Sequence, residues 1–161
     1  MVNQDIKIQD IWTKINYYMK VSISAGIAIL YKNKILLCHP TTLPWINTFS
    51  IPKGGVDDGE GLVDAAIRET FEEVGIDILA EQISNIDDPI EVLYINQSGI
   101  LFKKVYVYIV KIKSLSEIGS DSETLKKDRL QAIEVDWAGF MTKEEAENKI
   151  FYRFKPLLNL I

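Results

Sequence analysis

Three glutamates on one side of a predicted helix are the residues of this chain best suited to chemistry. Glu69, Glu72 and Glu73 occupy positions i, i+3 and i+4. At about 100° per residue, their side chains point within about 100° of one another. Like charges at this spacing cost a helix about 0.2–0.5 kcal/mol per pair, so folding alone does not favour them. Carboxylates grouped without a matching basic cluster are typical of a bound hard cation, Mg²⁺ or alternatively Mn²⁺.

The helix that carries these glutamates must also bury an apolar side. An arc of about 100° opposite Glu69 contains Val63, Ile67, Thr70, Phe71 and Val74. We expect this stripe to face the core. The acidic side, which includes Ala65 and Ala66, is expected to face a loop backbone or a ligand. Gly75 suits the left-handed residue that ends a helix.

The spacing of these residues resembles the Nudix box, G-x5-E-x7-R-E-U-x-E-E-x-G-U, in which U is a bulky aliphatic residue. The chain matches every fixed position of the motif: Gly54, Glu60, Arg68, Glu69, Glu72, Glu73 and Gly75, with Ile76 as the last U. Thr70 stands where an aliphatic residue is usual, but its methyl group can still pack. Because the motif is highly specific, the chain is identified as a member of the Nudix superfamily.

The likeness continues on both sides of the box, over residues 22–158. Pro52-Lys53-Gly54 leads into the motif, and residues 133–150 follow it. Together these segments resemble the branch similar to diadenosine tetraphosphate hydrolases. The resemblance implies an α/β Nudix fold with a mixed β-sheet sandwiched between α-helices. It also implies Mg²⁺-dependent hydrolysis of the pyrophosphate linkage of a nucleoside diphosphate joined to another group, in the favoured case diadenosine tetraphosphate to ATP and AMP.

The resemblance leaves other functions open. ADP-ribose, nucleoside triphosphates and the 5′ end of RNA are alternative substrates, and a non-catalytic Nudix module could bind a nucleotide or a partner. A net charge of −5 argues against a basic surface for RNA. Bound cations could still reverse the local charge for a small anionic nucleotide. Degenerate modules lose box carboxylates, and this chain keeps all of them, so we expect catalysis.

The box glutamates divide into metal ligands and catalytic groups in this interpretation. Glu69, Glu72 and Glu73 are the expected metal ligands. Glu72 and Glu73 are also expected to act in catalysis, and Glu60 can reach the same site or help orient it. Arg68 points away from the metal side and is expected to form a structural pair with a neighbouring carboxylate.

A carboxylate outside the box could act as the catalytic base. The candidates are Glu117, Asp121, Glu123, Asp128 and Glu134. Because the polar segment 113–128 could swing over the site, Glu123 is the preferred base and Glu117 the next to test.

Substrate contacts are expected before the helix. Lys53 can neutralise a phosphate as a flexible point charge, and the backbone N–H groups of Gly54 and Gly55 can face phosphate oxygens. His39, the only histidine, is expected at a strand end near the cleft. Trp45, on a loop, could stack on a base. The other aromatic candidates for stacking are Phe49, Tyr94, Phe102 and Tyr106.

Composition fits one globular domain. The 161 residues are expected to form a single Nudix domain, with residues 1–20 as a helical N-terminal extension. No apolar run approaches the ~18–20 residues of a membrane span, and residues 1–20 lack a secretory pattern. Cys38, the only cysteine, excludes an internal disulfide and suits a reducing cytoplasm. The expected partner is a small nucleotide, and the expected assembly is a monomer or a homodimer.

Apolar periodicity predicts the remaining elements. An amphipathic helix is expected at residues 5–19 and a hairpin at 21–39. Thr142 and Glu145 form a capping box that opens a helix up to residue 150. Further strands are expected around Ile51 and at 76–83, 90–95, 101–112 and 131–137, and a last helix at 151–160.

Overall fold

The computed structural model describes residues 20–42 and 47–161 of the chain. The predicted helix at 5–19 and Trp45 therefore lie outside the described residues. Within the described part, no helix combines the length and the apolar character that crossing a membrane would require.

A six-stranded sheet forms the centre of the molecule. Its strands are β1 (Ser22–Tyr31), β2 (Lys34–Pro40), β3 (Lys53–Gly55), β4 (Ile90–Ile95), β5 (Leu101–Ile112) and β6 (Val135–Thr142). The strand order is β4-β5-β1-β2-β6, and β3 pairs with β1. β1 and β5 run parallel, whereas the other described strand pairs are antiparallel. The predicted mixed sheet is confirmed.

Helical segments pack on the sheet. The box helix, α1, spans Leu62–Val74, and α2 is a single turn at Lys143–Ala146. A 3₁₀ segment follows at Tyr152–Leu160. Shorter 3₁₀ turns lie at Ala80–Gln82, Leu115–Ile118 and Lys127–Arg129. This arrangement confirms the expected α/β fold.

β1 is buried on both faces, which explains its continuous apolar run. Ile27 and Ile29 belong to the same buried cluster as Ala66 of α1. Ala28 belongs to a second cluster, with Phe154 of the C-terminal 3₁₀ segment. The core therefore has two layers, one on each side of the sheet.

β1 and β2 separate beyond their hairpin, and the start of β1 pairs with β3 instead. The hairpin pairs Tyr31 with Lys34, whereas Gly26 pairs with Lys53 of β3. A Cβ on Gly26 would lie 2.5 Å from the Pro52 carbonyl oxygen. Glycine at this position therefore allows the close approach that brings Lys53 to the mouth of the site.

Several predicted elements are confirmed and one strand is not. The hairpin and the strands at 90–95 and 101–112 agree with β1–β2, β4 and β5. The predicted strand at 76–83 is wrong, because this segment contains a 3₁₀ turn instead. Ile76 and Ile78 are buried beside α1, so their alternation reflects burial of side chains and not pairing in a sheet.

Other boundaries differ from the predictions for local reasons. The last strand spans Val135–Thr142 instead of the predicted 131–137. Its second half contains Gly139, and a glycine weakens the strand signal of a sequence. The capping box is confirmed, since the Glu145 N–H donates to Thr142 Oγ1 at 3.3 Å, but α2 ends at Ala146. The last helix is 3₁₀, and it contains Pro156, which cannot make an α-helical hydrogen bond. The strand predicted around residue 51 begins at 53.

Candidate active site

Helix α1 turns its acidic side toward the sheet and the loop before it. Ala65 and Ala66 on this side are fully buried, whereas Phe71 is 57% exposed. The predicted core stripe is therefore wrong at Phe71, whereas its members Thr70 and Val74 are buried together with the two alanines. Thr70 is buried, and its hydroxyl donates to the Ala66 carbonyl oxygen at 2.8 Å. Gly75 ends the helix with φ 64°, as predicted.

Glu69 reaches from α1 to the main chain of β3. A Cβ on Gly54 would lie 2.0 Å from the Glu69 carboxyl carbon, so a larger residue at this position would displace that carboxylate. Burial raises the pKa of Glu69, and the hydrogen bond and positive charge of Arg68 oppose that rise.

Glu73 lies one helical turn further along the same side. The Lys53 main-chain N–H donates to its Oε2 at 2.9 Å. Burial raises the pKa of Glu73 to about 7, against the opposing charge of Lys53 and that hydrogen bond. A carboxyl group with a pKa near neutrality can accept either a proton or a cation at physiological pH.

Arg68 connects the loop to the helix with all five of its N–H groups. Nε and Nη2 donate to Glu60 at 2.7 and 2.9 Å. Nη1 donates to Glu69 at 2.8 Å and to Glu72 at 3.1 Å, and Nη2 also donates to the Gly55 carbonyl oxygen at 2.8 Å. The bond to Arg68, followed by a main-chain N–H, lowers the pKa of Glu60 to about 2. Arg68 pairs with neighbouring carboxylates, as expected. The expectation that it points away from the metal side is wrong, because its Nη1 donates to Glu69 and Glu72.

The predicted metal ligands are all carboxylates, a donor set that suits a hard divalent cation. Gly54 leaves room for the Glu69 carboxylate against the main chain. As arranged, Arg68 holds Glu69 and Glu72. Within residues 20–42 and 47–161, no three Asp, Glu, His or Cys side chains form a group that could hold an ion. The chemistry of the donors fits, but a cation would require Glu69 and Glu72 to turn from Arg68, so the ligand set of Glu69, Glu72 and Glu73 stays a prediction.

A cavity of about 310 Å³ opens beside Glu73. Its lining combines charged groups near α1 with aromatic rings from β4 and β5, and it includes Lys53, Glu73, Tyr94, Phe102, Lys103 and Glu134. The Tyr94 and Phe102 rings meet edge to face at 6.0 Å. Burial lowers the pKa of Lys103, and the positive charge of Lys53 lowers it further. The two lysines are thus close enough for their charges to interact.

The carboxylate that reaches this cavity from outside the box is Glu134. It lines the cavity, and its negative charge contributes to the raised pKa values of Glu69 and Glu73. Glu123 instead accepts a hydrogen bond from Lys34 Nζ at 2.5 Å, at the opposite end of β2 from the cavity. The expectation that Glu123 lies over the site is therefore corrected.

Hydrogen bonds explain why segment 113–128 lies elsewhere. The Leu125 N–H donates to the Ala138 carbonyl oxygen at 2.9 Å, and the Phe140 N–H donates to the Glu123 carbonyl oxygen at 2.9 Å. These bonds hold the segment along β6. Glu117 accepts two main-chain N–H bonds at the start of its own 3₁₀ turn, at 2.8 and 2.9 Å.

His39 lies at the end of β2, as expected. Its Nδ1 is 2.6 Å from Asp136 Oδ1, and its ring packs against Phe49 at 5.0 Å. The neighbouring residues Cys38 and Pro40 line the cavity, because alternate residues of a strand face opposite sides. The structure gives His39 a hydrogen-bonding role, and its contact with phosphate stays a prediction.

Lys103 lines the cavity and was not among the residues expected at the site. Two adjacent lysines follow Phe102, and adjacent side chains of a strand point in opposite directions. Lys103 faces the cavity, whereas Lys104 pairs with Glu91 at 2.9 Å. The alternation of side chains along a strand predicts that the two lysines lie on opposite faces of the sheet. It does not show which of these faces forms the cavity.

The sequence profile of the NUDIX domain matches residues 21–156. The chain belongs to the Nudix family. It is therefore a pyrophosphohydrolase of a family that acts on small nucleotides and generally uses divalent metal cations.

Solved structures share this fold. A Caenorhabditis elegans Ap4A hydrolase, in a binary complex, is 26% identical over 86% of this chain and 93% of that chain, with a TM-score of 0.62. A MutT NUDIX hydrolase from Burkholderia pseudomallei is 19% identical over 88% and 98%, with a TM-score of 0.67. A bifunctional NMN adenylyltransferase/ADP ribose pyrophosphatase from Francisella tularensis is 16% identical over 96% and 45%, with a TM-score of 0.64. The last two show the fold alone. A search of curated protein sequences found no match.

Proposed function

We propose that this Nudix hydrolase cleaves dinucleoside polyphosphates, with diadenosine tetraphosphate hydrolysed to ATP and AMP. The observation that carries the proposal is the cavity beside Glu73, which joins two lysines to four aromatic rings. A dinucleoside polyphosphate offers the matching pair of features, a long anionic chain and a flat base. The likeness to the Ap4A hydrolase supports the same substrate class.

The cavity wall has a place for each part of that substrate. Lys53 and Lys103 would neutralise phosphate oxygens as flexible point charges. Phe102, which is 47% exposed, presents aromatic surface on which adenine can pack, and the buried Tyr94 ring supports it edge to face. A volume of about 310 Å³ lies at the lower end of the range for small-molecule sites, roughly 300–1,000 Å³, so one nucleotide half would enter while the other extends outward.

The chemistry follows from the charges near α1. When bound, Mg²⁺, or alternatively Mn²⁺, would neutralise negative charge on the phosphate oxygens and lower the pKa of the water bound to it. Glu69, Glu72 and Glu73 would hold the cation. Glu134, which lines the same cavity as Glu73 from the turn before β6, is the proposed base that takes the proton of the attacking water. Glu60 would act through Arg68, by keeping the guanidinium in place.

The proposal is tested by incubation with diadenosine tetraphosphate and Mg²⁺, with products resolved by chromatography and Glu73→Gln as the blank. ATP plus AMP, absent in the blank, is the expected result and reports asymmetric cleavage. Intact substrate would contradict the proposed class. The same assay with ADP-ribose, nucleoside triphosphates and 5′-triphosphate RNA would then identify the class that the site does hydrolyse.

The remaining parts of the proposal concern the whole chain. We propose one Nudix domain over residues 1–161, a cytoplasmic location and a monomer or homodimer. The supporting observations are the single buried thiol of Cys38 and the NUDIX match over residues 21–156. Sedimentation of the purified protein tests the assembly.

A further inference from the structure

The segment that carries Glu134 is fastened to the carboxyl end of α1. The last carbonyl groups of a helix have no partner within it. Here the Gln131 N–H donates to the Glu73 carbonyl oxygen at 3.1 Å, and Arg129 Nη2 donates to the Gly75 carbonyl oxygen at 2.8 Å. The last turn of α1 has no basic residue of its own, so Arg129 supplies the positive charge that a helix favours at this end.

The same guanidinium holds the preceding 3₁₀ turn. Nη2 donates to the Ile118 carbonyl oxygen at 2.7 Å, and Nη1 donates to the Gly119 carbonyl oxygen at 3.1 Å. The main chain of Arg129 also packs on the helix end, because a Cβ on Gly75 would lie 2.8 Å from the Arg129 carbonyl oxygen. The Arg129 side chain thus connects its own segment to two others, the end of α1 at Gly75 and the turn at residues 118–119.

A tight turn leads from this attachment to the cavity. The N–H groups of Glu134 and Val135 both donate to the Gln131 carbonyl oxygen at 2.8 Å. The Glu134 carbonyl oxygen in turn accepts the Thr41 N–H at 2.9 Å. The main chain that carries the Glu134 carboxylate is therefore held by a short series of hydrogen bonds that begins at Gln131, two residues after Arg129.

We infer that Arg129 is a positioning residue of the active site, which holds Glu134 beside Glu73 by fastening residues 129–135 to the carboxyl end of α1. The inference rests on the proposed function in one respect, the participation of Glu134 in the reaction. Arg129 itself acts through main-chain carbonyl groups.

Hydrogen exchange tests the fastening without substrate or metal. Arg129→Lys keeps the charge but loses the planar fork that reaches three carbonyl groups. We expect faster exchange of the Gln131, Glu134 and Val135 amides in Arg129→Lys, with unchanged exchange in β1. The matched control is Lys127→Gln, which removes a charge from an exposed position of the same turn and should change none of these amides. Unchanged exchange at all three amides in Arg129→Lys would overturn the inference.

A double-mutant cycle tests the route through Glu134, with diadenosine tetraphosphate and Mg²⁺ as the probe. Arg129→Gln should lower kcat about 10- to 100-fold, as losses of supporting hydrogen bonds around a site do, and should leave KM within about twofold. In the Glu134→Gln background, the same substitution should cost less than about twofold, because coupled residues do not contribute additively. Arg129→Lys replaces Arg129→Gln in the cycle if the latter fails to fold.

Two results of the cycle would overturn the inference. One is an unchanged kcat in the single Arg129 variant, and the other is an equal loss in both backgrounds, which would show an effect independent of Glu134. Failure of the wild-type protein to cleave the probe would instead count against the proposed substrate. In that case the exchange experiment still decides whether Arg129 fastens the segment.

Discussion

The two ends of the acidic side of the site carry the same type of side chain in opposite environments. At the loop end, Arg68 pairs with Glu60 and lowers its pKa to about 2. At the cavity end, Glu73 accepts a main-chain N–H, and burial raises its pKa to about 7. Ion pairing satisfies the first carboxylate, whereas the second retains a burial cost that a cation or a proton would relieve. Neighbouring groups, and not residue type, therefore set the opposite pKa shifts of these two glutamates.

The same Glu→Gln substitution at each end should show the largest difference between the two environments. Glu73→Gln should lower kcat on the order of 10³-fold while the protein stays folded, because a charged ligand is lost and its shape is kept. Glu60→Gln should cost kcat only about 10- to 100-fold, since it acts through Arg68. Steady-state kinetics with diadenosine tetraphosphate measure both. Equal losses of kcat in the two variants would contradict the different roles proposed for Glu60 and Glu73.

The close approach of Glu69 to β3 gives the next largest effect. Gly54→Ala places a Cβ where the Glu69 carboxylate now lies. A misplacement of about 1 Å near a reaction can cost about 10²-fold in rate, so we expect a loss of that order in kcat. Gly55→Ala is the matched control, because a Cβ there would meet no heavy atom within 4 Å, and its kcat should be unchanged. Wild-type turnover by Gly54→Ala would show that Glu69 can move without consequence.

The two adjacent lysines of β5 sharpen the assignment of the cavity end. Lys103→Met should raise KM for diadenosine tetraphosphate about tenfold, equivalent to about 1.4 kcal/mol of binding, because one phosphate contact is lost. Lys104→Met removes the same charge from the opposite face, where it pairs with Glu91, and should leave KM unchanged. Similar KM values in the two variants would argue that the substrate does not enter this cavity.

The smallest expected effect is on the stability of the metal-free protein. Glu73 and Glu60 should make contributions to stability that change in opposite directions with pH. The pKa of Glu73 is raised from 4.5 to about 7, so the folded state binds a proton more tightly, and stability should increase as the pH falls from about 7 toward 4.5. The charges that face this group are Lys53, Glu69 and Glu134. The pKa of Glu60 is lowered to about 2, so its contribution is present above about 4.5 and is lost as the pH falls through 2.

Thermal unfolding in the presence of a chelator measures this difference. The Tm of the wild-type protein should rise as the pH is lowered from about 7 to about 5, and this rise should be smaller in Glu73→Gln. Parallel Tm curves for the two proteins would contradict the raised pKa of Glu73.

The prediction of the site succeeded where local spacing controls geometry. The box spacing predicted α1, its left-handed end at Gly75 and the proximity of Glu69 to Glu73, since these depend on residues within a few turns. It failed for Glu123, because the main-chain bonds of that segment to β6 cannot be read from its polar composition. It also misassigned Phe71, since a helical wheel shows which residues share a side but not which side the sheet covers.

The amino-acid sequence by itself determined the family, the box helix and the presence of carboxylates suited to a divalent cation. These properties follow from residue type and short-range spacing. Only the tertiary structure decided that Glu134 lines the same cavity as Glu73 and that Lys103, not Lys104, faces this cavity. It also decided that Arg129 bonds the end of α1 to the segment before β6. Each of these depends on contacts between residues far apart in the chain, where packing and strand register, and not local spacing, set which side chains meet.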